Sequence, residues 1–523
     1  MKRNVLVWLL VLVLTLGMLA GCGGPGETQG TTEGTNVEEA ITKVNVLSGE
    51  SVTLAADKLS GQITWTSSDP EKVTVDGSGV AKALAGHGTV TVTATAGEAT
   101  QEFEVKLGQK TEFGDIYLPS ADDKVVISAW NGSYHDIDEA HMKLISDAGI
   151  TLLIGLEDRW LTNNTIDEIL DYAQKYGVSI LEDMRNWDTL NVPEFVDHPA
   201  LAGFLMFDEP VAMQFYELKD MKAAYDEVIS KDKLFFVNLL PLAYNNDTAF
   251  GDAYKLAIKT YEDTYLKPFV DMLDVPYISF DIYTMMEDGR IRPGYFGNIE
   301  SVANQAKESG RDFWLTVLAS PHTVSDGRYL KPGTEEMRWQ MALGMTYGSK
   351  DLTHYVLSSH AEDYESMFEY GTFETTDIYD AILTANQEIL AWDDIFTSFT
   401  WQGTATVDAG EENSMLGRLS YVAPLSGALT KVESDQDLLV GIFDSEGQPG
   451  YMVTNAGNPS MISIVSQYMN LAMEDASVTL TLEGDYRCAA VISQGEVTYV
   501  PVTNGTVSLT VEAYEGVFVI PVA

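Results

Sequence analysis

Basic residues are scarce in this chain of 523 residues, where 31 lysines and arginines stand against 78 acidic residues for a formal charge of -47. A surface with this charge repels phosphate groups, so the composition predicts no nucleic-acid partner. The chain also lacks a Walker loop, a glycine-rich dinucleotide turn, an EF-hand string, a Gly-x-Ser-x-Gly elbow and any zinc-ligand spacing. These absences predict a protein without a cofactor and without a catalytic metal.

Long apolar runs are confined to the start of the chain. Lysine and arginine at positions 2 and 3 precede an apolar run over 5–16, which is shorter than the ~20 residues that span a bilayer. The run leads to Leu19-Ala20-Gly21-Cys22, which resembles the lipobox of bacterial lipoproteins. That resemblance implies a signal peptide over 1–22 and a lipid on Cys22 that holds an exported protein to the cell membrane, facing outward. An ordinary cleaved signal peptide is the alternative.

Cysteine is almost absent, with Cys22 and Cys488 alone. If Cys22 carries the lipid, Cys488 has no disulfide partner in the mature chain, and we expect it to be a small buried apolar residue. Residues 23–40 are rich in glycine, threonine and glutamate, which predicts a flexible tether. The rest of the chain exceeds the ~100 to 250 residues of one domain and predicts three folded domains.

The first predicted domain covers 41–108, where short runs of threonine and valine alternate and are broken by glycine and Asp-Pro. This pattern is typical of a small β-sandwich. The runs ITWTSSDP at 63–70, VTVD at 73–76 and GTVTVTA at 88–94 resemble the bacterial immunoglobulin-like domain of group 2. That resemblance implies a spacer or an adhesion unit.

The second predicted domain covers 109–398, where apolar strands alternate with helical patterns. The eight candidate strands lie at 125–130, 149–156, 178–184, 201–207, 234–240, 275–283, 312–319 and 352–358. This alternation predicts an α/β fold, a (β/α)8 TIM barrel with its reactive groups at the carboxyl ends of the strands. A doubly wound open sheet is the alternative. Helices end near Phe399, and 399–523 predicts a C-terminal β-sandwich.

The fourth strand ends in Phe207-Asp208-Glu209-Pro210. Acid-catalysed cleavage of a glycosidic bond needs a carboxyl group beside the scissile oxygen, often with its pKa raised by apolar surroundings, and a second carboxylate across the sugar. Glu209 follows an apolar strand and meets the first requirement. The motif resembles the Asn-Glu-Pro of glycoside hydrolases of the large (β/α)8 clan, with its Asn replaced. The resemblance implies that Glu209 is the acid/base and that Asp208 contacts a sugar hydroxyl.

Retaining members of that family carry their nucleophile at the end of the seventh strand. This chain departs from the family, because no carboxylate follows its seventh strand. We therefore take the second catalytic carboxylate to be Asp281 on strand six. Glu182 and Asp183 on strand three are the next candidates. Alternation places Asp281 and Tyr283 on one face of their strand. An inward polar residue that is merely hydrogen-bonded is the alternative for Asp281.

Several further residues at strand ends are predicted to bind substrate. Flat rings bind the C–H faces of sugars, and His322 and Asn238 suit hydrogen bonds to hydroxyls, Asn238 lying in a run that resembles glycosidase-like barrels of surface lipoproteins. Arg185 either binds an acidic sugar or forms an ion pair, with Glu182 for instance. The predicted substrate-binding residues are Asp208, Trp130, Trp160, Arg185, Trp187, Asn238, Tyr283 and His322.

Three functions fit these features. The first is an extracellular glycoside hydrolase acting on an oligo- or polysaccharide. The second is a catalytically silent, glycan-binding surface lipoprotein, suggested by the end of strand seven. The third is an adhesive or structural surface protein whose function resides in the immunoglobulin-like domain.

Overall fold

The computed structural model describes residues 41–132, 137–158, 161–185, 192–242, 252–292, 294–324, 327–358, 364–410, 414–461 and 469–523. Along the chain it forms a β-sandwich, a closed parallel barrel and a further set of β-sheets, which confirms the predicted fold class. The predicted signal peptide, Cys22 and the tether lie outside the described residues. No helix in the described part of the chain is long and apolar enough to cross a membrane.

The N-terminal sandwich consists of two sheets. Valine and threonine alternate along its strands, so each sheet has one apolar face that packs against the other sheet. In Thr89–Ala96 the valines are buried against Phe103, while the threonines are partly exposed. Trp65 packs on the Phe103 ring at 5.7 Å, as a residue of the core. One sheet contains Thr42–Leu47, Ala99–Thr111, Thr89–Ala96 and Thr64–Ser67, with Gly114–Ile116 beside Ala99–Thr111, and the other contains Ser51–Thr53, Val80–Ala83 and Val73–Val75.

The central barrel has eight parallel strands at the eight predicted places, and the eighth strand pairs with the first. This closure excludes the doubly wound alternative. The strands are β1 (Val126–Trp130), β2 (Leu152–Leu156), β3 (Ser179–Asp183), β4 (Leu201–Asp208), β5 (Leu234–Leu239), β6 (Tyr277–Asp281), β7 (Asp312–Leu318) and β8 (Asp351–Tyr355).

The helices around the barrel begin and end at the residues that capping requires. Asp138 caps the first helix, and Thr165 caps the second, which ends at Gly177 in the left-handed conformation with φ 73°. The helices are α1 (Glu139–Asp147), α2 (Ile166–Tyr176), α3 (Phe215–Val228), α4 (Asp252–Tyr261), α5 (Lys267–Met272), α6 (Tyr295–Ser309), α7 (Thr334–Thr346), α8 (Asp377–Leu390) and α9 (Asp393–Thr397). A π-helical segment, Glu262–Leu266, joins α4 to α5.

Aromatic rings fill the interior of the barrel. Tyr277 stacks on Phe236 at 5.4 Å and on Trp314 at 4.6 Å, and Trp130 meets Phe236 edge-on at 6.3 Å. Large rings exclude water from this region, so the barrel is a packed core with an opening only near the strand ends.

The C-terminal part consists of antiparallel sheets that contact the barrel. A six-stranded sheet contains Thr400–Val407, Leu438–Ser445, Gln448–Asn455, Gly516–Val522, Cys488–Ser493 and Glu496–Pro501, and a three-stranded sheet contains Leu429–Ser434, Ala476–Leu482 and Thr506–Val511. Cys488 is fully buried, as expected. A third sheet joins Asn458–Met461 and Met469–Ala472 to Arg290–Ile291, which belongs to the loop after β6. The C-terminal part thereby supports a loop at the carboxyl ends of the strands.

The immunoglobulin-like domain contacts the opposite end of the barrel through Asp394 of α9. The Asp394 carboxylate binds the Lys72 ammonium at 2.8 Å and lies 3.6 Å from the His87 ring. Lys350, which precedes β8, donates to the Thr397 carbonyl at 2.9 Å, so α9 lies at the amino ends of the strands. The domain therefore leaves the carboxyl ends of the strands uncovered.

We expect Asp394→Asn to weaken this contact, because it leaves the Lys72 charge without its buried partner. Loss of the ion pair destabilises the docked domain by up to about 3 kcal/mol. Burial opposes the shift, but the contacts with His87 and Lys72 hold the pKa of Asp394 well below its ordinary range, so the same loss occurs in the wild type as the pH falls through that low pKa. Calorimetric unfolding measures the change, with the exposed Asp220→Asn as control. Equal unfolding of both variants contradicts the assignment.

Candidate functional site

A cavity of about 390 Å³ opens at the carboxyl ends of the barrel strands. Its wall brings together residues that are distant in the sequence, because parallel strands in a closed barrel all end at one rim. The lining residues are Trp130, Asp208, Glu209, Asn238, Leu240, Pro241, Leu242, Asp281, Ile282, Tyr283, Arg292, His322, Val324, Tyr329 and Tyr355.

Glu209 is the first residue after β4 and is exposed to this cavity. Its φ of 52° lies in the left-handed region, which is strained for a residue with a side chain. The Glu209 N–H donates to the Asn238 carbonyl of β5 at 2.9 Å and so holds the turn. Burial by the surrounding protein raises the pKa of Glu209, and the charge of Asp208 raises it further. The carboxyl group therefore retains a proton at a higher pH than an ordinary glutamate does.

The Asn238 side chain links two further carboxylates across three strands. Its Nδ2 donates to Asp281 Oδ1 at 2.9 Å and lies 3.4 Å from Asp208 Oδ1. Ser279 Oγ donates to Asn238 Oδ1 at 3.0 Å, which fixes the orientation of the amide. Since Asn238 is only 2% exposed, its amide is engaged by the protein, and the structure supports a positioning role for it over the predicted substrate contact.

Asp281 ends β6 and lines the cavity together with Tyr283. Burial raises its pKa, the charges of Glu209 and then Asp208 raise it further, and hydrogen bonds from Asn238 and Tyr283 oppose the rise. The charge of Glu209 thus acts on the ionisation of Asp281, as a like charge does in one cavity. The structure therefore brings the two predicted catalytic residues to one cavity.

Arg185 forms ion pairs at the rim of the barrel. Its guanidinium binds Asp183 through Nη2 at 2.6 Å and Asp208 through Nη1 at 3.1 Å. The predicted pairing with Glu182 is wrong, because Glu182 is fully buried and its Oε1 accepts the Asp158 N–H at 3.0 Å instead. Burial raises the pKa of Glu182 to about 9.

The two reserve candidates for the second carboxylate do not line the cavity. Glu182 contacts backbone, and Asp183 holds Arg185. Among the described residues, Asp208, Glu209 and Asp281 are the carboxylates that do line it. Asp281 therefore remains the partner for Glu209 that the geometry favours.

Aromatic rings form part of the cavity wall. Tyr283 meets Tyr329 at 5.7 Å and Tyr355 at 5.6 Å. His322 stacks on Tyr364 at 4.9 Å, and its Nδ1–H donates to the Ser320 carbonyl at 2.8 Å. Such a wall presents flat apolar faces with polar edges, which is the surface that a sugar ring binds.

Of the three tryptophans predicted to bind substrate, the structure describes Trp130. Trp130 lines the floor of the cavity but is only 7% exposed, because it packs on Phe236. Trp160 and Trp187 lie outside the described residues. No group of histidine, cysteine, aspartate and glutamate side chains in the described part of the chain has an arrangement that holds a metal ion.

The cavity wall also contains residues that were not predicted. Tyr355 ends β8, and two-residue alternation along that strand gives a signal that would have found it. Arg292 and Tyr329 lie on loops, and the Arg292 guanidinium lies 5.3 Å from the centre of the Tyr329 ring. Loop residues carry no periodic signal, so only the fold reveals them.

Comparison with known proteins identifies the N-terminal domain. Residues 35–107 match the bacterial Ig-like domain (group 2), which confirms that prediction. No curated protein matches the chain in sequence.

Solved structures to which the chain is similar include glycoside hydrolases. One from Bacteroides fragilis, described as an α-galactosidase/melibiase, is 12% identical with a TM-score of 0.40, covering 92% of this chain and 97% of that one. A protein described as a glycoside hydrolase is 10% identical with a TM-score of 0.43, covering 78% and 97%. The GH99 endo-α-mannosidase of Bacteroides thetaiotaomicron is 13% identical with a TM-score of 0.34, covering 53% and 98%.

We expect Asn238→Leu to raise the pKa of Asp281 further, because the charged carboxylate loses its amide donor. Carbon-13 NMR titration of labelled aspartate carboxyls measures this pKa, with the signal assigned from its loss in Asp281→Asn. Asn386→Leu is the matched control, since that amide binds His354 away from the cavity. An unchanged Asp281 titration in Asn238→Leu contradicts the proposed link.

Proposed function

We propose that this protein is an exported glycoside hydrolase that cleaves an oligo- or polysaccharide, with Glu209 as general acid and Asp281 as the second carboxylate. The observation that supports it is a pair of carboxyl groups that line one cavity and both have raised pKa values, the charge of Glu209 contributing to the rise at Asp281. A glycosidase needs one protonated and one ionised carboxyl group flanking the scissile bond, and a coupled pair provides both at one pH.

In the proposed reaction the Glu209 carboxyl donates its proton to the glycosidic oxygen as the bond to the leaving sugar breaks. Positive charge then develops on the sugar ring, and the Asp281 carboxylate stabilises it. Asp281 then either takes a proton from a water molecule that attacks the anomeric carbon, or attacks that carbon itself to form a glycosyl ester. In the second route water cleaves the ester, and the Glu209 carboxylate takes the proton of that water. The stereochemistry of the released sugar, followed by NMR, distinguishes these two routes.

The aromatic wall and the Asp208 carboxylate support a sugar as substrate. Tyr283, Tyr329 and Tyr355 line the same cavity as the acidic residues with their rings and hydroxyls. Asp208 keeps a lone pair for a sugar hydroxyl beyond its contacts with Arg185 and Asn238. Arg185 is held by two carboxylates, which favours the ion-pair interpretation over recognition of an acidic sugar.

The proposed location is the outer face of the cell membrane, through a lipid on Cys22 and a tether over 23–40. The docking of the immunoglobulin-like domain at the amino ends of the strands suits this arrangement, because a chain anchored through that domain directs the cavity away from the membrane. We retain 41–108, 109–398 and 399–523 as the proposed domain limits.

A glycan-binding barrel without activity is the second candidate. The end of β7 supports it: Ser320 donates to the Glu365 carbonyl, and no carboxylate from Leu318 to His322 occupies the place of the nucleophile found in retaining members of the large clan. This candidate predicts saturable glycan binding without release of reducing ends.

Substitution Glu209→Gln tests the activity. We expect release of sugar from a glycan panel to fall by at least about 100-fold, because the leaving oxygen loses its proton donor. A dinitrophenyl glycoside has a leaving group that needs no proton, so the first release of dinitrophenol by this variant is expected to be almost normal, whereas Asp281→Asn should lose both reactions. The exposed Glu217→Gln serves as control. An active Glu209→Gln on natural glycans contradicts the assignment.

The pH profile provides an independent test. Because burial and the charges of neighbouring carboxylates raise both pKa values, the singly protonated pair exists at higher pH than it would for ordinary carboxyl groups. We expect kcat/KM to rise as the first proton leaves and to fall as the second leaves, with both limbs above the ordinary carboxyl pKa of ~4. An acid limb at that ordinary value contradicts the coupled pair.

A further inference from the structure

Two tyrosines of the helix that follows β5 hold the backbone beside Glu209. The Tyr265 hydroxyl donates to the Pro210 carbonyl at 2.6 Å and accepts the Leu240 N–H at 3.0 Å. The Tyr261 hydroxyl donates to the Leu240 carbonyl at 2.7 Å. Pro210 follows β4 and Leu240 follows β5, so these backbone groups lie beyond the strand ladder and need other partners.

The π-helical segment Glu262–Leu266 carries Tyr265, and Tyr261 immediately precedes it. The two rings stack at 5.4 Å, and Tyr265 also packs on Phe215 at 5.0 Å. Both tyrosines are at most 8% exposed. Their hydroxyls are therefore held in place by the packing of their rings, and the contact with the loops does not depend on a mobile side chain.

The strained turn at Glu209 is restrained on both sides. Its own N–H is bound to Asn238 of β5, and the carbonyl of the next residue is bound to Tyr265. A left-handed residue with a side chain persists only where its surroundings impose the conformation. Pro210 is buried, so its carbonyl without Tyr265 would lose a partner that water does not replace.

We propose that Tyr265 is a positioning residue that keeps the Glu209 carboxyl group at the cavity that Asp281 also lines, acting through the Pro210 carbonyl without touching substrate. The coupling of the two carboxyl groups then depends on a residue of the following βα unit. Leu240, which the same hydroxyl holds, lines the cavity beside them. This inference rests on the proposed function for its catalytic meaning, but its structural content is independent of it.

Tyr265→Phe tests the proposal, because it removes the hydroxyl and keeps the ring that stacks on Tyr261. Tyr225→Phe is the matched control: that buried hydroxyl donates to the Leu234 carbonyl at the amino end of β5, away from the cavity. Crystal structures of both variants give the first readout. We expect the Pro210 carbonyl to rotate and Glu209 to leave the left-handed region in Tyr265→Phe alone.

Kinetics and the pH profile give the second readout. We expect kcat of Tyr265→Phe to fall by at least about tenfold with KM within about twofold of the wild type, and the acid limb of kcat/KM to move toward the ordinary carboxyl range. Tyr225→Phe should retain the wild-type rate and profile.

The outcomes separate the two proposals. An unmoved Glu209 in the structure of Tyr265→Phe overturns the positioning role, whatever the activity. A displaced Glu209 with an unchanged rate supports the positioning role and overturns the assignment of Glu209 as the acid. If the wild type releases no sugar, the hydrolase proposal fails, and the comparison of crystal structures still decides the role of Tyr265.

Discussion

The parallel pairing of β8 with β1 closes the barrel, and the candidate site depends on that closure. A closed sheet has no edge strand, and all its carboxyl ends meet at one rim. Asp208 of β4, Asn238 of β5 and Asp281 of β6 therefore form one hydrogen-bonded group. The aromatic core below them excludes water, so the carboxyl groups lie in a medium that strengthens their mutual repulsion. The same packing that stabilises the barrel thus raises the pKa of Glu209 and Asp281.

Three carboxyl groups in one cavity lose hydration and repel one another, and neighbouring residues offset this unfavourable free energy. Arg185 and the Asn238 amide favour the charged form of Asp208, while the raised pKa values of Glu209 and Asp281 let that pair keep a shared proton to higher pH. The left-handed turn at Glu209 is held by backbone and side-chain bonds from the β5 unit. The C-terminal sheets add support from outside, because they pair with Arg290–Ile291 in the loop that leads to Arg292. The geometry of the site therefore depends on contacts within the barrel and on contacts with the domain that follows it.

The eight barrel strands and the immunoglobulin-like domain could be predicted because local patterns encode them. A buried parallel strand is a short apolar run, and a sandwich strand alternates. Glu209 and Asp281 could be proposed because each follows such a run. The partner of Arg185 was predicted wrongly, because nothing in the local sequence shows that Glu182 is buried against the Asp158 backbone while Asp183 and Asp208 are the carboxylates that reach Arg185. The roles of Cys22, Trp160 and Trp187 stay predictions, since they lie outside the described residues.

The sequence by itself determined the order of the folded units, the positions of the strands and the presence of carboxylates at their ends, because these depend on local periodicity and residue type. Only the tertiary structure decided which carboxylates meet, that Asn238 binds two of them, and that Tyr265 supports the Glu209 turn. Those relations join strands and loops that are far apart in the chain. Their distances are set by barrel closure and ring packing, which no local pattern records.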